Sequence, residues 1–213
     1  MKLFLASQDF GDHADKLRKL VGKNKNVLVV FNARDHKEGD SGEPFQRELF
    51  TKNGFNFYRL DLRDYFGKEA ELNKFVADYK PGLVVLLGGN TFLLRRALAQ
   101  SGFDKIICRD VKQGKYVFAG HSAGSIIAGP DLHGFEHMDQ EKLTFPPYQK
   151  KIVWDGLGLT DVRVIPHADS PKYEKEINKL RKELFDKYNY EYVVLSDADV
   201  LIIDGSKKEL LKK

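Results

Sequence analysis

Short aliphatic runs alternating with longer segments of helical period predict an α/β fold for this 213-residue chain, with a mostly parallel sheet covered by helices. Two further observations point the same way. Several runs are apolar without alternation, as strands buried on both faces should be, and glycine-bearing turns stand where strands hand over to helices. In chain order, strands are expected at residues 2–6 (the run Leu3-Phe4-Leu5-Ala6), 26–32, 55–60, 82–87, 115–119, 162–165, 190–195 and 200–204. Helical periodicity places helices at residues 11–21, 44–53, 68–79, 91–100, 103–113 and 172–188. Pro44 suits the first turn of its helix, and Gly54 stops it.

One domain spanning residues 1–213 is expected, because 42% hydrophobic residues over this length fill one sizeable core and fall short of two. No internal repeat or low-complexity linker interrupts it. Two segments break the alternation: residues 33–43, polar with two glycines, and residues 129–159, which carry glycines, Pro130, Pro146 and Pro147. Loops of that length in a compact domain are usually functional, so both are candidate walls of a substrate site.

The formal charge is +4, but 35 Lys and Arg are interspersed with 31 Asp and Glu, so no basic stripe forms and no nucleic-acid partner is expected. Lys207, Lys208, Lys212 and Lys213 read as a solvated, frayed end. Cys108 is the only cysteine, which excludes an intramolecular disulfide and fits a reducing compartment. Its setting, Ile106-Ile107-Cys108-Arg109, reads as a buried structural thiol. The apolar run at residues 3–6 is too short for a signal-peptide core, and no stretch approaches a membrane span. A soluble, cytoplasmic protein with no membrane partner is the expectation.

The chemistry is carried by three stretches. In Val117-Phe118-Ala119-Gly120-His121-Ser122-Ala123-Gly124-Ser125-Ile126-Ile127, a strand runs into G-x-S-x-G and then a helix, the context a nucleophile elbow requires. Small residues flank Ser122 because the turn is strained and neighbouring chains pass close by. The amides at the start of the helix point to where negative charge would develop. A plain turn with Ser122 as helix cap is the alternative, and Ser125, one turn on, would face the helix or its packing partner. In Leu86-Leu87-Gly88-Gly89-Asn90-Thr91-Phe92, a glycine pair leaves backbone N–H groups uncovered, so the turn can supply oxyanion donors or simply start a helix capped by Asn90 or Thr91. The spacing of a dinucleotide or P-loop site is missing. In Val164-Ile165-Pro166-His167, the histidine emerges at a strand's C-terminal edge, where open α/β sheets place their sites, whereas His13, His36, His121, His133 and His137 lie in helical or loop contexts.

Taken together and in this order, Gly88 to Phe92, Gly120 to Gly124, and Pro166-His167 resemble the peptidase E family of serine peptidases, peptidase family S51, which includes aspartyl dipeptidases and cyanophycinases. The resemblance implies a flavodoxin-like three-layer sandwich similar to class I glutamine amidotransferases, with serine in place of their cysteine. It implies Ser122 as nucleophile, His167 as base, and the amides of Gly89 and Ala123 as the oxyanion hole, acting on short peptides without a metal or organic cofactor. For the third member, a carboxylate at the end of the strand at residues 190–195 favours Asp197, followed by Asp139, with Asp169 and Glu136 behind them. Aspartyl dipeptidases of the family carry arginines shortly after the histidine. Here Tyr173-Glu174-Lys175-Glu176-Ile177 stands in their place, so Asp-X specificity is not carried over. Asn90 and Arg181 are the candidate substrate contacts, with Lys172, Arg95 and Arg163 as further cations able to meet a carboxylate or line a solvated face. A monomer or homodimer is expected. The competing readings are a small-molecule esterase or amidase with the same elbow, and an inactive binding module of the same fold.

Overall fold

In a strand buried on both sides, successive side chains feed two different cores. The computed structural model, which describes residues 1–37 and 42–213, shows this arrangement. The aliphatic runs become β1 (Lys2–Ala6), β2 (Asn26–Val30), β3 (Asn56–Leu60), β4 (Leu83–Leu86), β5 (Val117–His121), β6 (Arg163–Ile165), β7 (Tyr192–Val194), β8 (Val200–Asp204) and β9 (Lys207–Leu211). Leu3 and Leu5 of β1 join one core with Leu28, Val30, Val84, Leu86 and Phe118, while Phe4 and Ala6 join the other with Val27, Val29, Val85 and Ala119. Burying each such side chain contributes about 1.5–3 kcal/mol.

Helices close both faces. On one lie α1 (Ala14–Val21) and α2 (Glu43–Lys52), through Leu17 and Phe50. On the other lie α3 (Glu69–Tyr79), α4 (Thr91–Ser101), α5 (Phe103–Lys112) and the short α6 (Ala123–Ile127), through Leu72, Leu94, Ile107 and Ile127, while α7 (Glu174–Leu180) packs through Leu180 on the turn at Gly134. The result is the three-layer α/β sandwich with a mostly parallel sheet. None of the helices among the described residues is long and apolar enough to cross a membrane.

The sheet order is β3-β2-β4-β5-β1-β8-β9. The first five strands are parallel, and β8 and β9 run antiparallel at one edge. Because β4, β5 and β1 are neighbours, the turns that follow them lie side by side at the C-terminal edge. A separate pair, β6 and β7, is parallel and in register, Ile165 opposite Val194. The chain therefore leaves both strands in the same direction, two residues before His167 and three before Asp197.

Four expectations need correction. The helix expected from residue 11 starts at Ala14, because Gly11 adopts φ +53° in a turn whose space is closed by the Ala198 carbonyl. The helix expected over residues 172–188 is α7 followed by one π-helical turn, Arg181–Phe185. Of the C-terminal lysines, Lys207 and Lys208 are not a frayed end but part of β9. Gly205 at φ +61° closes a two-residue hairpin between β8 and β9, and Lys208 pairs with Glu191 at 2.6 Å. Lysines along an exposed edge strand also discourage pairing with other chains. Finally, the segment at residues 129–159, expected as a wall of a substrate site, does not line the cavity at Ser122 and is bound to the body of the protein by Arg96. That side chain, 1% exposed, donates to the carbonyls of Glu141, Leu143 and Lys151.

Candidate active site

Ser122 follows β5 directly and has φ +51° and ψ −109°, a conformation that costs a side-chain-bearing residue about 1–3 kcal/mol. The flanking glycines make it attainable. A Cβ on Gly124 would stand 2.0 Å from the Leu86 carbonyl oxygen, and one on Gly120 would stand 2.4 Å from the Gly124 carbonyl carbon. Ser125 ties the elbow down: its Oγ is bonded at 2.7 Å to the carbonyls of both Ala6 and Gly120.

His167 approaches from β6 with its own positive φ, +62°. Its Nε2 lies 2.8 Å from Ser122 Oγ, and its Nδ1 lies 2.7 Å from Asp197 Oδ1. With the proton on Nδ1, the ring donates to the carboxylate and accepts from the serine. The Tyr173 ring stacks on the imidazole, centroids 5.4 Å apart. Such a chain can take a proton from Ser122 and hold the resulting imidazolium against Asp197.

Beside Ser122 runs the turn after β4. A Cβ on Gly88 would lie 2.9 Å from Ser122 Cβ, so glycine lets the two turns touch. Gly89 has φ +150° and presses on the Ala33 carbonyl, where a Cβ would come within 2.3 Å of the oxygen. Among the described residues, no acceptor takes the amide N–H of Gly89 or of Ala123. Gly89 lines the cavity into which Ser122 opens, a space of about 330 Å³ whose wall also includes Asp9, Arg34, Gln46 and His121, and Ala123 follows Ser122 directly at the start of α6.

The other expected site residues lie elsewhere in the fold. Asp139 accepts from the N–H and hydroxyl of Thr91 at 2.9 and 2.5 Å, stabilising the N-terminus of α4, and burial pushes its pKa up. Asp169 accepts from the Asp197 N–H at 3.0 Å, and Glu136 from the Gly134 N–H at 2.6 Å. Neither is bonded to the histidine ring. Asn90 is consumed as the cap of α4, accepting from Leu93 N at 2.8 Å and donating to the Gln140 carbonyl at 3.1 Å. Arg181 lies against Tyr192, 3.4 Å from its hydroxyl, and is not on the cavity wall. Arg95 and Arg163 are paired with Asp104 and Asp131, and Lys172 donates to Tyr173 Oη at 3.1 Å. Of the two long segments, residues 33–43 reach the cavity through Arg34 and Lys37, with residues 38–41 outside the described part. None of residues 129–159 lines it.

Residues 3–211 match the family model of peptidase family S51. The chain belongs to peptidase family S51. Among relatives of this S51 chain, uncharacterized peptidase PM1590 of Pasteurella multocida is 30% identical over 181 residues, 84% of this chain and 83% of that protein. Uncharacterized peptidase Lmo0363 of Listeria monocytogenes is 28% identical over 63% of this chain, and uncharacterized peptidase Lin0382 of Listeria innocua 27% identical over 57%. Those two matches span 61% and 59% of the relatives' own lengths. In solved structures the same fold is found in a candidate peptidase E from Listeria monocytogenes, with TM-score 0.79 and 22% identity over 100% of this chain and 98% of that one. It recurs in a peptidase from an acI-B1 actinobacterium, with TM-score 0.63 and 16% identity over 100% and 87%.

Two residues of this S51 site escape sequence reasoning. Ser7, just past β1, accepts from the His167 N–H at 2.7 Å and donates to Asp197 Oδ1 at 2.8 Å, joining histidine and carboxylate. Its position at the C-terminal end of an apolar strand was the available signal. His121 lies in no loop: it ends β5, 3% exposed, against the rings of Phe10 and Phe50, with neither ring nitrogen bonded. Burial holds its pKa down to about 4. An unfolded histidine takes up its proton near pH 6.5, so this contribution to stability is complete above that pH and is lost as pH falls towards 4. The expected loss is about 3 kcal/mol. Denaturant titrations at neutral pH and near the lower end of this window should show His121→Phe losing less stability than the unsubstituted protein. Equal losses would contradict the assignment.

Proposed function

We propose that the protein is a serine peptidase that hydrolyses short peptides through an acyl-enzyme on Ser122. The observation that carries this reading is the continuous chain Ser122 Oγ, His167 Nε2, His167 Nδ1, Asp197 Oδ1, with links of 2.8 and 2.7 Å, at the mouth of a small cavity. His167 Nε2 takes the Ser122 proton as Oγ attacks the scissile carbonyl carbon. The N–H groups of Gly89 and Ala123 receive the oxyanion, and Asp197 holds the imidazolium in orientation. Collapse of the tetrahedral species breaks the C–N bond, and His167 gives its proton to the leaving amine. Water, deprotonated by His167, then attacks the ester and releases Ser122. Losing one oxyanion donor in such a site costs about 3 kcal/mol of transition-state stabilisation.

A cavity of about 330 Å³ supports a substrate of a few residues at most. Incubation with a panel of di- and tripeptides alongside p-nitrophenyl esters tests the reading. Peptide cleavage is expected, and ester turnover with every peptide left intact would overturn it.

Ser7 acts in this scheme as a positioning residue. Removing its bond to Asp197 should cost about 1.5–3 kcal/mol, the range for a hydrogen bond to a charged group, or about 10- to 100-fold in kcat. Ser7→Ala should therefore lower kcat with KM nearly unchanged, and Ser7→Thr should restore it. A loss confined to KM would contradict this role.

A further inference from the structure

Beside Ser122, the cavity wall carries a polar cluster that the hydrolytic scheme does not use. Asp9 stands just past β1 with φ +46°. With Ser122 and His167, it is one of three positive-φ, non-glycine residues on this cavity, out of five among the described residues. Strain of that kind concentrates at functional positions. Gln46, 1% exposed on α2, donates through Nε2 to Asp9 Oδ1 at 2.7 Å. That bond fixes the amide orientation and leaves Gln46 Oε1 buried with no partner. His121 Nδ1 lies 4.0 Å from Asp9 Oδ1, and both of its ring nitrogens lack partners. Three of the seven unpartnered buried side-chain atoms among the described residues thus belong to Gln46 and His121. Unpaired buried polar atoms each cost about 1–3 kcal/mol, and their concentration directly behind a cavity wall calls for a compensating role, of which a bound ion is one.

The cluster selects the chemistry of that group. Asp9 offers a carboxylate, Gln46 a free carbonyl oxygen, and a neutral His121 one acceptor nitrogen against one N–H. Acceptors outnumber donors, and the net charge is negative. We propose that Asp9, with Gln46 and His121 behind it, is a subsite for a primary ammonium group of the substrate. An ammonium brings three donors and the balancing charge. A carboxylate would meet Asp9 instead, and its natural place is the other part of the wall, where Arg34 Nε donates to the Gly88 carbonyl at 2.9 Å and Lys37 lies nearby. The ammonium is either the α-amino end of a short peptide or a lysine-type side chain beside the scissile bond. The inference rests on the reading of the Ser122 cavity as the substrate site.

Calorimetric titration of Ser122→Ala protein, which binds without turnover, separates the cases. The probes are leucyl-alanine, Nα-acetyl-leucyl-alanine and Nα-acetyl-lysyl-alanine. If the α-amino group is the ligand, leucyl-alanine should bind about tenfold or more tightly than its acetylated form. If the side chain is the ligand, the acetylated lysyl peptide should show that advantage over the acetylated leucyl one. In either case Asp9→Asn, which keeps the side-chain shape and a residue type that tolerates positive φ, should abolish the advantage. Binding that is indifferent to the ammonium, or an advantage that survives Asp9→Asn, would overturn the proposal. The comparison of peptides needs no substitution at Asp9, so it decides even if that variant fails to fold. Ammonium-selective binding by unsubstituted protein that cleaves no peptide would instead refute the hydrolytic reading and leave the subsite standing.

Discussion

Ser122→Ala is expected to lower peptide hydrolysis by about 10⁶-fold in kcat, the scale seen when the nucleophile of a serine triad is removed. The size follows from the geometry. Among the described residues, Ser122 Oγ is the one oxygen held 2.8 Å from His167 Nε2, beside the unpaired amides of Gly89 and Ala123. Ser125, the nearest other hydroxyl in sequence, is fully buried and bonded to the Ala6 and Gly120 carbonyls, so it cannot take over. The fold should not suffer. Ser122 donates its backbone N–H to the Ala6 carbonyl at 3.1 Å, a bond that alanine keeps. An unchanged melting temperature with hydrolysis reduced to the residual supplied by binding and the oxyanion hole is the expected pair of results. Hydrolysis within tenfold of the unsubstituted protein would remove Ser122 from the mechanism.

Gly124→Ala should be the most destabilising single methyl in this region. Its Cβ would be placed 2.0 Å from the Leu86 oxygen and 2.9 Å from Leu86 Cβ, and β4 is a central strand paired on both sides. The obstacle is backbone, so no side-chain rotation relieves it. Either the elbow lifts or the sheet deforms, at about 3 kcal/mol or more. For a chain of this length that is a fall in melting temperature of about 6–12 °C. Gly22→Ala is the contrast. Gly22 has φ +76° and ψ −136°, but an added methyl there would meet nothing within 4 Å, so only backbone strain of about 1–3 kcal/mol applies. Equal melting temperatures for the two variants would show that close packing at Gly124 is not what holds the elbow.

The features legible in the sequence were local ones. An apolar strand, a glycine-flanked serine and a helix are all carried by residues 117–127, and those residues form β5, the Ser122 turn and α6. Asp197 was legible because it follows a strand, and β7 delivers it beside the histidine after β6. What escaped depends on contacts between distant segments. Ser7 meets His167 across 160 residues of chain. His121 had no signal of its own inside the motif, and its burial follows from Phe10 and Phe50 closing over it. Asn90 and Arg181 were ambiguous in the sequence because a polar residue after a glycine turn and a cation on a helix look the same whether they meet substrate or their own fold. Asn90 caps α4, and Arg181 lies on Tyr192. The Gly205 turn was a readable hairpin signal, overshadowed by the lysines that follow it.

Ser122 should behave as an activated nucleophile in the folded protein. A fluorophosphonate reacts with an activated serine and, unlike a peptide panel, needs no knowledge of specificity. After labelling of native protein and proteolytic digestion, mass spectrometry should find one adduct, on the peptide carrying Ser122, and His167→Ala should abolish it. Folded protein that takes no label, or takes it on another serine with Ser122 unmodified, would contradict the account.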